Sequence, residues 1–185
     1  MRRQIGNRAH GRESLRGAVL GVAGWKNSGK TTLITKLVVE LCGRGYRIAT
    51  VKHAHHEADV DHEGTDTFRH RKAGATEVAI VTSSRWAVIH ELREEPEPAL
   101  SEILERLSPA DLVLVEGYKR EPIPKIEVRR QAAARADPLA RDDPNVIAIA
   151  CDGPAEANDR PVFSIDDIVG IADFTVKYLG LSFSS

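Results

Sequence analysis

One short stretch constrains this chain more than any other: Gly24-Trp25-Lys26-Asn27-Ser28-Gly29-Lys30-Thr31-Thr32, which satisfies G-x-x-x-x-G-K-[ST]. Before it runs Gly17-Ala18-Val19-Leu20-Gly21-Val22-Ala23, apolar and short enough for a buried parallel strand. After it, residues 32–41 repeat apolar side chains at helical spacing, and Gly43-Arg44-Gly45 stops the pattern. Strand, glycine-rich loop and helix therefore follow in the order that a phosphate cradle needs. Glycines let main-chain N–H groups turn inward around phosphate oxygens, a lysine brings a compact positive charge to the β/γ-phosphates, and a threonine hydroxyl can ligate Mg²⁺. The helix N-terminus adds its dipole and free amides. On this reading Gly24, Asn27, Ser28, Gly29, Lys30, Thr31 and Thr32 hold a nucleotide, Lys30 acts on the reacting phosphate, and Thr31 holds Mg²⁺.

The rest of the chain alternates in the same way. Tyr46-Arg47-Ile48-Ala49-Thr50-Val51-Lys52 reads as a second strand, and a short helix follows near 66–73. Two β-rich runs, 77–82 and 85–90, meet at Ser83-Ser84 and read as an antiparallel pair, although neither serine is the Gly or Asn that two-residue hairpins favour. A helix at 99–107, strands at 111–117, 125–129 and 146–150, and a closing helix over 165–179 with Ser164 as N-cap complete the pattern. Residues 131–144, rich in Ala, Arg, Asp and Pro, read as a surface loop. Strands alternating with helices predict an α/β fold: a P-loop NTPase three-layer sandwich with a mostly parallel sheet and one short antiparallel β pair. Residues 17–182 read as a single nucleotide-binding domain, and residues 1–16, polar and basic, as a mobile tail.

Composition narrows the function classes. A formal net charge of −1 gives no bias toward nucleic acid, and no apolar stretch approaches the length that spans a bilayer. The arginine-rich start lacks the apolar region of a secretory signal, and Cys42 and Cys151 form no C-x-x-C pair. A cytoplasmic, reduced setting without nucleic acid or membrane is the expectation.

In an open parallel sheet, ligands lie beyond the carboxyl ends of the strands. Glu116 closes the strand Leu112-Val113-Leu114-Val115, where a carboxylate either holds Mg²⁺, directly or through water, or caps a neighbouring element. Gly117 beside it lets the backbone approach a terminal phosphate, or simply turns the chain. The loop Lys52-His53-Ala54-His55-His56-Glu57-Ala58-Asp59-Val60-Asp61-His62 offers two chemistries. Asp59 or Asp61 can reach Mg²⁺ or orient an attacking water, and His53, His55, His56 and His62 can bind a transition metal. Asp152, after the 146–150 strand, can accept from guanine N1–H and the 2-amino group, donors that adenine lacks; it is also an ordinary turn residue in Asp152-Gly153-Pro154.

Gly-Trp-Lys-Asn-Ser-Gly-Lys-Thr-Thr-Leu at 24–33, Val-Lys-His-Ala-His-His at 51–56, Asp59-Val60-Asp61, Arg71-Lys72-Ala73-Gly74-Ala75, Arg85-Trp86-Ala87 and Leu114-Val115-Glu116-Gly117-Tyr118-Lys119 together resemble the molybdopterin-guanine dinucleotide biosynthesis family MobB. The similarity runs from about residue 17 to 180. It implies a GTP-binding adapter of the SIMIBI class with weak GTPase activity, usually a homodimer. Such a protein assists the guanylyltransferase MobA in attaching GMP to molybdopterin. By position, Gly29, Lys30, Thr31 and Thr32 hold phosphates and Mg²⁺, Glu116 and Gly117 match the second phosphate-side motif, and Asp152 follows the strand where the base lies. The rival readings are a P-loop small-molecule kinase, which needs an acceptor pocket, and a metal-delivery GTPase that uses the histidine loop.

Overall fold

Six strands pair side by side in one parallel sheet, and the most apolar of them have no face suited to water. They belong to a computed structural model that describes residues 17–54, 61–133, 137–157 and 159–182. In chain order the elements are β1 (Ala18–Ala23), α1 (Lys30–Gly43), β2 (Ile48–Lys52), α2 (Asp66–Lys72), β3 (Glu77–Val81), β4 (Trp86–His90), α3 (Leu100–Arg106), β5 (Leu112–Glu116), β6 (Lys125–Arg129), β7 (Val146–Cys151), β8 (Val162–Ser164) and α4 (Ile168–Leu179). Sheet order is β2-β5-β1-β6-β7-β8, and β3 pairs with β4 in a separate antiparallel ribbon. The α/β class and mostly parallel sheet expected from the sequence are the ones observed.

The chain divides into two compact units, one holding the described residues up to His53 and from Arg106 onward, the other Ala54–Glu105. In the first, α1 and α4 cover one face of the sheet. Leu33, Leu37 and Leu41 of α1 and Ile171 of α4 meet Leu20, Leu114, Ile126 and Ala148 in the main apolar core. Ion pairs Arg44–Asp173 (2.6 Å) and Lys36–Asp166 (2.8 Å) edge the α1–α4 seam.

The other face of β6 is built differently. Lys125 and Glu127, which alternate with the core residues Ile126 and Val128, are both 1% exposed. The Lys125 ammonium donates to Lys119 O, Glu121 O and Asp143 Oδ2. Glu127 accepts from the amides of Leu139 and Ala140 and from Arg129. So 131–144 is more than the expected surface loop: its 3₁₀ turn Leu139–Arg141 caps a buried carboxylate, and Ala140 is buried.

Three local expectations change. β8 is a three-residue strand that its sequence did not announce, being too short for a period to show. It consumes Ser164, so α4 starts later and its N-cap is Asp167, whose carboxylate accepts from Gly170 N. The turn between β3 and β4 needs no left-handed residue, since Thr82 Oγ1 accepts from the amides of Ser84 and Arg85 and donates to Arg85 O.

Candidate functional site

β1 ends at Ala23, and the chain leaves the sheet through Gly24 with φ +154°. A Cβ there would lie 2.5 Å from Val128 O, so only glycine passes β6 at this point. Asn27 (φ +63°) and Gly29 (φ +94°) curl the loop and hand it into α1 at Lys30. Inside the curl, Trp25 O accepts from Ser28 N (3.2 Å) and from the Lys30 ammonium (2.7 Å).

The sheet register brings the rest of the site to this loop. Pairing of Val22 with Glu116 and of Lys52 with Glu116 puts the ends of β1, β5 and β2 in one row. Thr31 Oγ1 donates to Glu116 Oε1 at 2.9 Å, and Lys52 Nζ lies 3.6 Å from the same oxygen. Above them opens a hollow of about 500 Å³, bordered by Asn27, Gly29, Lys30, Thr31, Thr32 and Glu116, all expected, and by Lys26 and Arg130, which were not. Desolvation lowers the Lys30 pKa; Glu116 opposes this, and the charges of Lys119 and Lys52 add to it. A site that crowds ammonium groups is suited to a multiply charged anion, which would offset their repulsion.

The Thr31 hydroxyl and Glu116 carboxylate form a hard-oxygen pair at the edge of this hollow, the donor type that Mg²⁺ takes alongside water and phosphate oxygens. A transition-metal cage has no such support. Among the described residues no three His, Cys, Asp or Glu side chains converge, and the His53 ring lies against Tyr118 with centroids 4.7 Å apart. His55, His56 and Asp59 lie outside the described residues.

Four expected residues sit away from the hollow's border. Gly24 shapes the loop from beneath, and Gly117 turns the chain after β5, where a Cβ would lie 3.1 Å from His53 Cβ. Ser28 is buried and, with Asp152, borders a second cavity. Asp61 serves its own unit. Its carboxylate accepts from Thr65 Oγ1, Thr67 Oγ1, His62 N and Arg71 Nε, closing the turn that leads into α2. The Thr65 bond heads the causes that lower its pKa, which makes it a weak base.

The sequence model of the family described as MobB, "Molybdopterin guanine dinucleotide synthesis protein B", matches residues 19–152. The chain belongs to the MobB family. It is similar to the molybdopterin-guanine dinucleotide biosynthesis adapter proteins of Haemophilus influenzae (42% identity, covering 87% of this chain and 89% of that one) and Escherichia coli (40%, covering 87% and 93%). Its structure resembles the MobB homolog of Bacillus stearothermophilus, with TM-score 0.67 and 28% identity over 89% of this chain and 99% of that one. This agrees with the P-loop α/β fold.

Within this MobB-family fold, sequence reasoning missed Arg130 and the cluster around Trp25. Lys119 Nζ lies 4.0 Å from the Trp25 ring centroid, and Trp25 Nε1 donates to Asp137 O. Lys119 ends the Val-Glu-Gly-Tyr-Lys stretch, so a signal existed for it. Arg130 had none, because it follows β6 in an arginine- and alanine-rich stretch and meets Gly29 only through the fold.

Proposed function

We propose that this chain is a GTP-binding adapter that assists a guanylyltransferase, the partner called MobA, in attaching GMP to molybdopterin. The observation that carries the reading is the hollow at the mouth of α1, where loop backbone, Lys30, Arg130 and the Thr31–Glu116 pair face one space. Main-chain amides of 27–32 and the Lys30 ammonium hold the phosphates. Thr31, with Glu116, holds Mg²⁺, which supplies charge neutralisation between phosphate oxygens.

Turnover is slow in this reading. Glu116 is the sole carboxylate among the described residues bordering the hollow, and it is engaged with Thr31. Occupancy, more than hydrolysis, then changes the surface shown to the partner. Two features support the wider reading. The named relatives are adapters, and no helix among the described residues is long and apolar enough to cross a membrane. One face of the β3–β4 ribbon, formed by Val81, Trp86 and Val88, is exposed and apolar, which suits a second copy of this chain.

Calorimetric titration with GTP, GDP and ATP, with and without Mg²⁺, tests cradle, metal and base preference together. GTP with Mg²⁺ is expected to bind, and Lys30→Ala to weaken it about 10- to 100-fold, the worth of a charge-assisted hydrogen bond. The variant should keep its melting temperature, since Lys30 touches only a loop carbonyl among hydrogen-bond partners. Undiminished GTP affinity in Lys30→Ala would refute the cradle.

A further inference from the structure

Strand period decides which side chains of β5 and β2 can reach the mouth of α1. Leu114 packs in the core with Leu33 and Leu37 of α1, so Glu116, two residues on, emerges on the same side of the sheet. Lys52 pairs in register with Glu116 and therefore shares that side. Its main chain is pinned by the β2–β5 ladder and by the next amide, His53 N, which donates to Glu116 O at 2.9 Å. Its side chain, in contrast, is 60% exposed, and the ammonium stands 3.6 Å from Glu116 Oε1, beyond the ~2.7–3.2 Å of an N–H···O hydrogen bond. Among the described residues that ammonium donates no hydrogen bond, whereas Lys30 spends one donor on Trp25 O.

The oxygen that holds Lys52 also accepts from Thr31 Oγ1 at 2.9 Å, and Lys30, Thr31 and Glu116 all border the phosphate hollow. In a loop of this kind the lysine and the threonine act at the β/γ end of a triphosphate. Lys52 thus stands at that end, a compact charge on a flexible stem rooted in a fixed strand. Desolvation heads the causes that hold the Lys30 pKa below its usual value, and the charge of Lys52 is among the further ones. Glu116 is one carboxylate facing two ammonium groups, which leaves the local charge in favour of another anionic group. A terminal phosphoryl group supplies that charge together with three acceptor oxygens, and a diphosphate lacks it.

We propose that Lys52 is a specificity residue of this site, donating to the terminal phosphoryl group of a nucleoside triphosphate and so separating triphosphate from diphosphate. The proposal rests on the nucleotide reading above and adds to it a second lysine, with Glu116 as the residue that positions it. Lys30 serves the phosphate that GTP and GDP share, and Lys52 answers to the one that they do not. An adapter that works by occupancy needs such a distinction, because the two nucleotides are alike in every other group.

The test is calorimetry on the full chain with Mg²⁺, titrating GTP, GDP and, to remove the base, inorganic tripolyphosphate and pyrophosphate. The native chain should prefer GTP to GDP and tripolyphosphate to pyrophosphate. Lys52→Met, which keeps the stem and removes the charge, should weaken GTP about 10-fold, as for loss of a hydrogen bond to a charged group, and GDP less than about 2-fold. The gap between tripolyphosphate and pyrophosphate should narrow in step. Lys52→Arg, which keeps the charge, should restore most of the preference for GTP. The melting temperature should hold in both variants, because an exposed ion pair adds little stability. A native chain that binds GTP and GDP equally overturns the proposal with no variant needed. Equal losses of GTP and GDP in Lys52→Met, no loss of either, or a Lys52→Arg variant as poor as Lys52→Met also overturns it. Lys30→Ala separates this proposal from the reading beneath it. If Lys30→Ala weakens both nucleotides while Lys52→Met spares the preference for GTP, the role of Lys52 falls alone; if the native chain binds neither nucleotide nor polyphosphate, both fall.

Discussion

β5 buries four of its five residues, whereas β3, the same length and likewise four apolar residues with one glutamate, buries one. The unit around the phosphate loop covers its parallel sheet on both sides, with helices over one face and a charged network over β6 on the other. The unit 54–105 instead leaves Val81 76% and Trp86 70% exposed. A two-stranded ribbon is marginal by itself. The contrast teaches that similar β-rich runs serve different ends here: one is packed into the sheet that brings Glu116 to Thr31, the other leaves apolar surface exposed.

The largest expected effect comes from breaking that offered surface. If a second copy covers the β3–β4 face, Trp86→Glu removes an aromatic anchor on both sides of a two-fold interface. Burial of such a side chain contributes about 1.5–3 kcal/mol, so the dimer loses about 3–6 kcal/mol. Sedimentation at micromolar concentration should show a dimer for the native chain and a monomer for the variant. A native monomer, or a dimer that survives Trp86→Glu, would remove this face from the association.

Next comes the buried charge that the first unit encloses. Lys125→Met keeps the apolar stem and deletes the ammonium, taking the cation from Asp143 Oδ2 and the donor from the carbonyls of Lys119 and Glu121, while Asp143 Oδ1 keeps Asn145. Removing one member of a buried pair costs about 3–5 kcal/mol. Urea unfolding should register a loss of that order, because the same ammonium ties the 118–121 turn, which carries Lys119, to the segment after β6. A shift under 1 kcal/mol would mean that Asp143 finds other donors and that the network is dispensable.

The same contrast explains what the sequence could disclose. β1, the loop and α1 were legible because period, glycine placement and motif all agree within 26 residues. Convergence of Thr31 with Glu116, 85 residues apart, was legible only as two motifs; the register of β1 on β5 joins them. Lys125 and Glu127 share one side of a strand whose sides alternate in polarity. They are buried because 119–121 and 139–143 supply partners, and no local pattern announces such partners. Asp61 looked like a phosphate-side acid because aspartates in that position are chemically able, whereas Thr65, Thr67 and Arg71 claim it for the turn. The cavity beside Asp152 was invisible, since it needs Ser28 from the loop after β1 and Arg129 from the end of β6.

The smallest effect lies at the foot of the ribbon and separates the two units by pH. His90 on β4 meets Glu77 through Nδ1 (2.9 Å) and Glu95 through Nε2 (3.0 Å), both bonds favouring the imidazolium. The Glu77 bond, then the Glu95 bond, raises its pKa above the usual 6.5. A raised folded value stabilises the native state fully below about pH 6.5, the unfolded value, and the contribution disappears as pH climbs through the raised one. In a Trp25→Phe background, Trp86 reports on this ribbon alone. Its melting transition should fall between pH 6 and pH 9 by more in the parent than in His90→Gln, and the two curves should merge at the alkaline end. Because all three side chains are partly exposed, the difference is modest and shrinks in high salt. Parallel curves across that range would show that His90 stays neutral between its glutamates and adds no charge pairing to the ribbon.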